Sequence, residues 1–451
     1  MLRAIANSRS SGALGRAQLA IRGSAWVVVE YGGSQLFRLT STLILARYLL
    51  GPEAFGFVAL VNVFLAGLEM LSDLGVGANV VQHPRGGDRD FLQISFTIQA
   101  ARGLLLWAVA TTLAYPFAMF YEQPTLFPLA LVAATSVGLR GFVSPAVWML
   151  NRQIQRGRLT ALTMAGEAAG LVVALVWAAA APSAWALVAS TLTNAVVFTL
   201  GSYLLPGCPP AIRWDARIAS DILRFGAWIT VATGTHYLAG QGERLILGKF
   251  VTPQELGCFS VALMLATAPS RGLEQLGGQV LFPLIAQSLR QGQESVIMHY
   301  RRARLIFLTM SLFMVAGFIG LSKWLVALLL PSQYMMTGWM LQLLGVRAAF
   351  DVFGAPASAL MLASGLSVYS AVGNMTRLVF LCGGLVVAFQ WYGLREAVWV
   401  LAMSPVAVYC PAMLIGMARH FSGLLKTELI ALSAFFASVA LGILTWWMIA
   451  G

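Results

Sequence analysis

Thirteen apolar stretches follow one another between residues 24 and 449, each long enough to cross a membrane. They run at 24–46, 54–80, 91–120, 126–150, 159–180, 184–205, 223–247, 255–285, 303–328, 335–362, 367–389, 396–417 and 429–449. About 20 apolar residues in a helix cover the ~30 Å hydrocarbon layer. Inside that layer every backbone N–H and C=O must find a partner, which leaves helices or closed barrels. Stretches this long and continuous are helices. Charged residues make up 10% of the chain, against ~25% in soluble domains, too few to cover a soluble surface. The expected fold is an all-α polytopic membrane protein of 12–14 transmembrane helices, with thirteen the best count.

Charge fixes the expected orientation. Residues 1–22 carry Arg3, Arg9, Arg16 and Arg22 and no acid. The apolar stretch behind them is too long for a signal-peptide core, so this reads as a basic cytoplasmic tail before an uncleaved first span. With the N-terminus inside, 18 of the 29 Lys and Arg residues fall in the tail and inward loops, 4 fall outward and 7 lie within spans. That asymmetry obeys the positive-inside rule. Six acids lie inside, four outside and seven within spans, so the whole +12 net charge sits on the inner side. Attraction to anionic inner-leaflet lipids accounts for it, and no nucleic-acid partner is expected.

Enzyme chemistry finds no foothold. Cys208, Cys258, Cys382 and Cys410 are far apart with no CxxC, the four histidines are dispersed, and no HExxH, Walker loop or GxSxG occurs. Metal, redox, nucleotide and serine-hydrolase sites need such clusters. The chain is expected not to be an enzyme and to hold no cofactor or metal.

The sequence also repeats. Gly51-Pro52-Glu53-Ala54-Phe55-Gly56 joins the first two spans, and Thr252-Pro253-Gln254-Glu255-Leu256-Gly257 joins the seventh and eighth. At an offset of 201, Pro52 falls on Pro253, Gly56 on Gly257, Asp73 on Glu274 and Gly77 on Gly278. Repeats six spans apart both begin at the cytoplasm and form parallel lobes. The expected organisation is a tail at 1–22, an N-lobe at 23–206 (spans 1–6), a C-lobe at 207–425 (spans 7–12) and an additional span at 426–451.

Fourteen charges fall inside spans, each costing at least ~2.5–3.5 kcal/mol at mid-bilayer. They must face a cavity or one another. Arg347 and Asp351 are spaced i,i+4 and Arg271 and Glu274 i,i+3, so each pair can be satisfied locally. Arg38, Arg102, Arg140 and Arg377 have no acid within four residues. Glu69 and Asp73, at i,i+4, repel each other and mark a candidate proton or sodium site.

Leu45-Ala46-Arg47-x-Leu49-x-Gly51-Pro52-Glu53-x-Phe55-Gly56, with Ser72-Asp73-Leu74-Gly75-x-Gly77 and Gln82 beyond it, resembles the opening of the polysaccharide flippases. These form one family of the multidrug/oligosaccharidyl-lipid/polysaccharide exporter superfamily. The resemblance implies a transporter that moves a polyprenyl-pyrophosphate-linked oligosaccharide across the bacterial inner membrane by alternating access, for O-antigen, capsule or exopolysaccharide synthesis. Partners then include that glycan, membrane lipids, and a polysaccharide polymerase with other assembly proteins. Guanidinium groups bind pyrophosphate through paired hydrogen bonds, so Arg38, Arg102, Arg140, Arg271 and Arg347 are the expected substrate contacts. Glu69, Asp73, Glu167, Glu274 and Asp351 are the expected ion-coupling or gating residues, for H+ or Na+.

Two alternatives in the same superfamily are a peptidoglycan-precursor flippase, whose substrate also carries pyrophosphate, and a cation-coupled multidrug exporter. The exporter would favour an acid-dominated cavity, against seven arginines and seven acids here. A membrane-embedded glycosyltransferase would need a larger extramembrane segment than any loop in this chain.

Overall fold

A computed structural model describes residues 32–450. The tail at 1–22, Glu30 and the start of the first span lie outside the described residues. Among those residues the fold is helical, with no β-strand. In chain order the helices are α1 (32–48), α2 (Pro52–Leu71), α3 (Val76–Gln82), α4 (Arg89–Phe120), α5 (Leu126–Gly141), α6 (Ala146–Arg152), α7 (Arg156–Ala180) and α8 (Trp185–Ser202). Then come α9 (Ala216–Phe250), α10 (Pro253–Leu276), α11 (Phe282–Gln291), α12 (Gln293–Leu329), α13 (Met336–Ala363), α14 (Ser367–Trp391), α15 (Leu394–Val408), α16 (Ile415–His420) and α17 (Ser422–Ala450).

Among the described residues ten helical stretches are long and apolar enough to cross a membrane, with α15 to α16 (Leu394–His420) counted as one, and α5 with α6, bent by 61°, brings the number to eleven if that pair is one span. The expected thirteen also included α1, described here from residue 32, and α9, which is 35 residues long but more polar. Ten to eleven spans, rather than thirteen, are therefore identified among the described residues.

Two compact units divide the chain. The first runs to Leu50 and resumes at Leu60–Tyr237, and the second takes Gly51–Ala59 and everything from Leu238. The division falls within α9, and α2 contributes to both units.

Small residues set the packing in the first unit. Gly166, Gly170, Ala174 and Ala178 form one buried stripe at four-residue spacing on α7. They let the backbone of α8 approach, and a Cβ at Gly170 would lie 2.8 Å from the Ser190 carbonyl oxygen. Close backbone approach of this kind drives helix association in lipid, where apolar burial alone offers no gain.

In the second unit, α13 is the most enclosed span, with 61% of its apolar window buried. Helix α17 lies along α12 and is fastened by a buried ion pair between Arg304 of α12 and Glu428 of α17. The hydroxyls of Tyr300 and Tyr409 both donate to Glu428, and Arg304 donates to the Phe353 carbonyl. Arg304 stands at the edge of the apolar stretch 303–328 and Glu428 just before that of 429–449, yet they are 1% and 0% exposed.

Segment 51–59 sits in the second unit through a close contact with the start of α10. A Cβ at Gly56 would lie 1.8 Å from the Pro253 carbonyl oxygen, and one at Gly257 would lie 1.7 Å from that of Pro52. The residues that the 201 offset pairs thus meet reciprocally, and no side chain fits at either glycine.

Candidate functional site

The site in the first unit begins with two broken helices. Helix α2 stops at Leu71, and the chain passes through Ser72–Leu74 to Gly75, whose φ of 56° is left-handed. Glycine adopts that conformation without steric cost. The Asp73 carboxylate accepts the Gly75 N–H at 2.9 Å, and the Asp73 carbonyl accepts the Thr230 hydroxyl at 2.7 Å. Asp73 therefore lies beyond the end of α2, so the i,i+4 helical spacing expected for Glu69 and Asp73 is not formed.

The second break separates α5 from α6. Ser202 accepts the Ser144 N–H at 2.9 Å, and the Tyr203 hydroxyl donates to the Phe142 carbonyl at 2.7 Å. Both bonds satisfy backbone groups that the interruption leaves without a helical partner, as a membrane interior demands.

Helices α4 and α5 cross where Gly103 meets Gly141. A Cβ on Gly103 would lie 2.6 Å from the Gly141 Cα, and the reverse distance is 2.7 Å. Each glycine follows an arginine, so this crossing brings Arg102 and Arg140 onto one wall. Together with Glu69 and Asp73 they line a cavity of about 210 Å³. Four of the expected site residues, two from each expected role, thus share one cavity in the first unit.

Arg102 is partly committed to structure. Its Nε donates to the Ser72 carbonyl at 2.7 Å and its Nη2 to the Glu69 carbonyl at 2.6 Å. These carbonyls end α2, where the helix leaves acceptors unpaired and carries partial negative charge. Arg152 serves α3 in the same way, donating to the carbonyls of Val80 and His83, each at 2.7 Å. Arg140 is exposed at the cavity wall, which makes it the more available guanidinium of the two.

In the second unit, Arg347 pairs with Glu243 of α9 at 2.6 Å, a partner 104 residues away that no local spacing reveals. Asp351 lies in the field of Arg377 as well as Arg347, with Glu243 opposing. Asp351 and Arg377 line a second cavity, of about 500 Å³. Arg38 and Arg271 are exposed on α1 and α10 and line neither cavity. Glu167 is half-buried on α7 and likewise lies outside both. The side chain of Glu274 lies outside the described residues. No cluster of three or more His, Cys, Asp or Glu able to hold a metal occurs among the described residues.

A family model described as polysaccharide biosynthesis protein matches residues 44–337. Among curated relatives, the succinoglycan biosynthesis transport protein ExoT of Rhizobium meliloti is 22% identical over 70% of this chain, and the match spans 64% of that protein. The lipopolysaccharide biosynthesis protein WzxC of Escherichia coli is 20% identical over 79% of this chain and 72% of its own length. The teichuronic acid biosynthesis protein TuaB of Bacillus subtilis is 19% identical over 83% and 79% respectively. Among solved structures, the fold matches an inward-facing MATE-family multidrug transporter with a TM-score of 0.67 at 18% identity, covering 87% of this chain and 95% of that one. It matches the lipid II flippase MurJ, in an inward closed conformation, with a TM-score of 0.67 at 11% identity, covering 95% and 98%. ExoT is named a transport protein, and the two solved structures are those of a multidrug transporter and a flippase.

Proposed function

This chain belongs to the polysaccharide biosynthesis protein family, and from that membership we propose that it flips a polyprenyl-pyrophosphate-linked oligosaccharide repeat unit across the bacterial inner membrane. It is a multi-pass membrane transporter of polysaccharide biosynthesis. The proposed finer points are the lipid-linked substrate, the cytoplasmic N-terminus, alternating access and ion coupling. The observation that carries the reading is the pairing of Arg102 and Arg140 on one wall of the cavity in the first unit. Two guanidinium groups on one wall match a pyrophosphate, whose oxygens accept paired, charge-assisted hydrogen bonds.

Glu69 and Asp73 supply the opposing charge. A pyrophosphate and two ionised carboxylates compete for the same guanidinium groups, and like charges at close range exclude one another. Protonation or cation binding at Glu69 would leave the arginines to the substrate, and release of that cation would eject it. That competition is the proposed basis of coupling to H+ or Na+. The surface polysaccharide served, whether O-antigen, capsule or exopolysaccharide, follows from the sugars the substrate carries, and polymerase and other assembly proteins would receive the flipped unit.

The test is the sidedness of lipid-linked glycan in cells lacking the protein, restored with wild type, Arg140→Ala or Glu69→Gln at equal protein levels. Glycan facing the cytoplasm in the deleted strain and with Arg140→Ala, but outward with wild type, supports the reading. Unchanged sidedness together with raised sensitivity to cationic drugs would transfer the assignment to a multidrug exporter.

A further inference from the structure

Two π-helical segments in the second unit, Gly277–Leu281 and Tyr409–Leu414, open onto the same cavity of about 500 Å³. A π-turn bonds i to i+5, widens the helix and throws carbonyls out of register, and such turns concentrate at functional sites. Gly277 and Gly278 line this wall, and the space where a Gly278 Cβ would stand is empty within 4 Å. Bare backbone is therefore presented to the cavity. The volume falls within the ~300–1,000 Å³ of ordinary small-molecule sites.

The charges inside are balanced. Asp351 lies in the field of Arg377 and Arg347, and Arg347 is itself paired with Glu243. Asp351 and Arg377 are the charges that line the cavity, and Arg347 and Glu243 balance each other outside its lining, which leaves no net charge to attract a bare cation or to hold a phosphate. Asn374, Ser358 and Ser370 add uncharged donors and acceptors, and the half-buried Phe282 offers aromatic surface, while the buried Phe350 and Tyr409 close the wall. The Tyr409 hydroxyl is committed to the Arg304–Glu428 pair, so its ring is fixed in place as part of the wall. A neutral wall of carboxylate, guanidinium, amide, hydroxyl and aromatic groups matches a sugar. Its hydroxyls need both donors and acceptors, and its C–H face packs on rings.

We propose that this cavity is a glycan subsite that takes one or two neutral sugar rings of the transported oligosaccharide, with Asp351 and Asn374 as hydrogen-bond partners of sugar hydroxyls. The proposal rests on the flippase reading above and names the part of the substrate that the second unit recognises. Asp351, expected from sequence to couple ions, becomes a specificity residue.

The experiment uses purified full-length protein in liposomes with two defined probes: polyprenyl pyrophosphate carrying one neutral hexose, and the same lipid carrying a neutral tetrasaccharide. Wild type, Asp351→Asn and Asn374→Ala are compared after their thermal stability is shown to match. Loss of hydrogen bonds to a charged acceptor amounts to about tenfold or more. Asp351→Asn should therefore raise the half-saturating concentration of the tetrasaccharide lipid by about tenfold, with a smaller rise for Asn374→Ala, and raise that of the single-hexose lipid clearly less, because one ring fills less of the subsite. Equal transport of the tetrasaccharide lipid by all three proteins would overturn the subsite and leave the flippase reading standing. Loss of both probes alike in Asp351→Asn would also overturn it, assigning that residue to transport in general. Failure of wild type to move either probe would overturn the flippase reading, and the subsite with it.

Discussion

Arg102 of α4 holds the interrupted end of α2 by donating its Nε to the carbonyl of Ser72 at 2.7 Å. One guanidinium thus does two jobs. Its Nε and Nη2 close the broken helix, and the same side chain lines the cavity with Arg140. The site's geometry and the local stability of the first unit are coupled at Arg102 and separable at Arg140.

That separation is testable. Arg102→Ala should lower stability in detergent by about 1.5–3 kcal/mol, the range for a hydrogen-bonded charged group. Arg140→Ala should leave stability within about 0.5 kcal/mol, as for exposed substitutions, while abolishing transport. Equal losses of stability in the two variants would mean that Arg140 is a structural cation as well.

The Arg304–Glu428 pair carries a second prediction. Removing one partner of a buried pair strands the other, at a cost of about 3–5 kcal/mol. Arg304→Met and Glu428→Leu should each destabilise the second unit severely, and the double variant should cost much less than their sum. Denaturant unfolding of the four proteins gives the coupling directly. Additive costs would show that the two charges are not energetically linked.

Much of this fold is legible in the sequence, and the reason is the bilayer. Twenty apolar residues announce a span whatever they pack against, so the positions of α4, α7, α12, α13 and α14 follow from hydropathy. The breaks are less visible. Ser72-Asp73-Leu74-Gly75 reads as part of a continuous apolar stretch, and only Gly75, at a left-handed φ of 56°, hints at the interruption. The pairing of charges is least visible. Arg347 stands one helical turn from Asp351, yet its 2.6 Å partner is Glu243 on α9. Arg304 falls at the edge of the apolar stretch that begins at 303, whereas α12 begins at Gln293 and carries it about three turns along the helix. The dipeptides Arg102-Gly103 and Arg140-Gly141 were an available signal, since a small residue beside a charge lets helices cross closely next to it.

The reciprocal contact of Gly56 and Gly257 makes a third prediction. Gly56→Ala and Gly257→Ala place a methyl group less than 2 Å from a backbone carbonyl oxygen, where no side chain can yield. Each should cost more than the ~1–3 kcal/mol of ordinary overpacking and reduce the folded protein recovered from membranes. Gly320→Ala, at a helical position with nothing within 4 Å of the added carbon, should be neutral or stabilising, because alanine is the better helix former. Normal recovery of the Gly56 and Gly257 variants would contradict the close approach.

Orientation is tested at Cys208, in the linker between α8 and α9. In a variant that keeps Cys208 alone, a membrane-impermeant maleimide should label inside-out vesicles and spare intact cells. Burial raises the Cys208 thiol above its ordinary value, the chief cause, with Asp90 adding and Arg89 opposing. The reactive thiolate is therefore scarcer at a given pH than in an unshifted thiol, and labelling should be slower than at a fully exposed cysteine under the same conditions. Labelling of intact cells would place this linker, and with it the N-terminus, on the outer side.

The central claim is tested most directly by reconstitution. Purified protein is placed in liposomes whose inner leaflet is loaded with polyprenyl-pyrophosphate-linked oligosaccharide, and the glycan reaching the outer leaflet is measured by its accessibility to an added glycosidase. Wild type should expose glycan well above protein-free liposomes, and Arg140→Ala, folded to the same stability, should fall to the protein-free rate. Glycan exposure by Arg140→Ala equal to that of wild type would contradict the assignment of this cavity to the pyrophosphate.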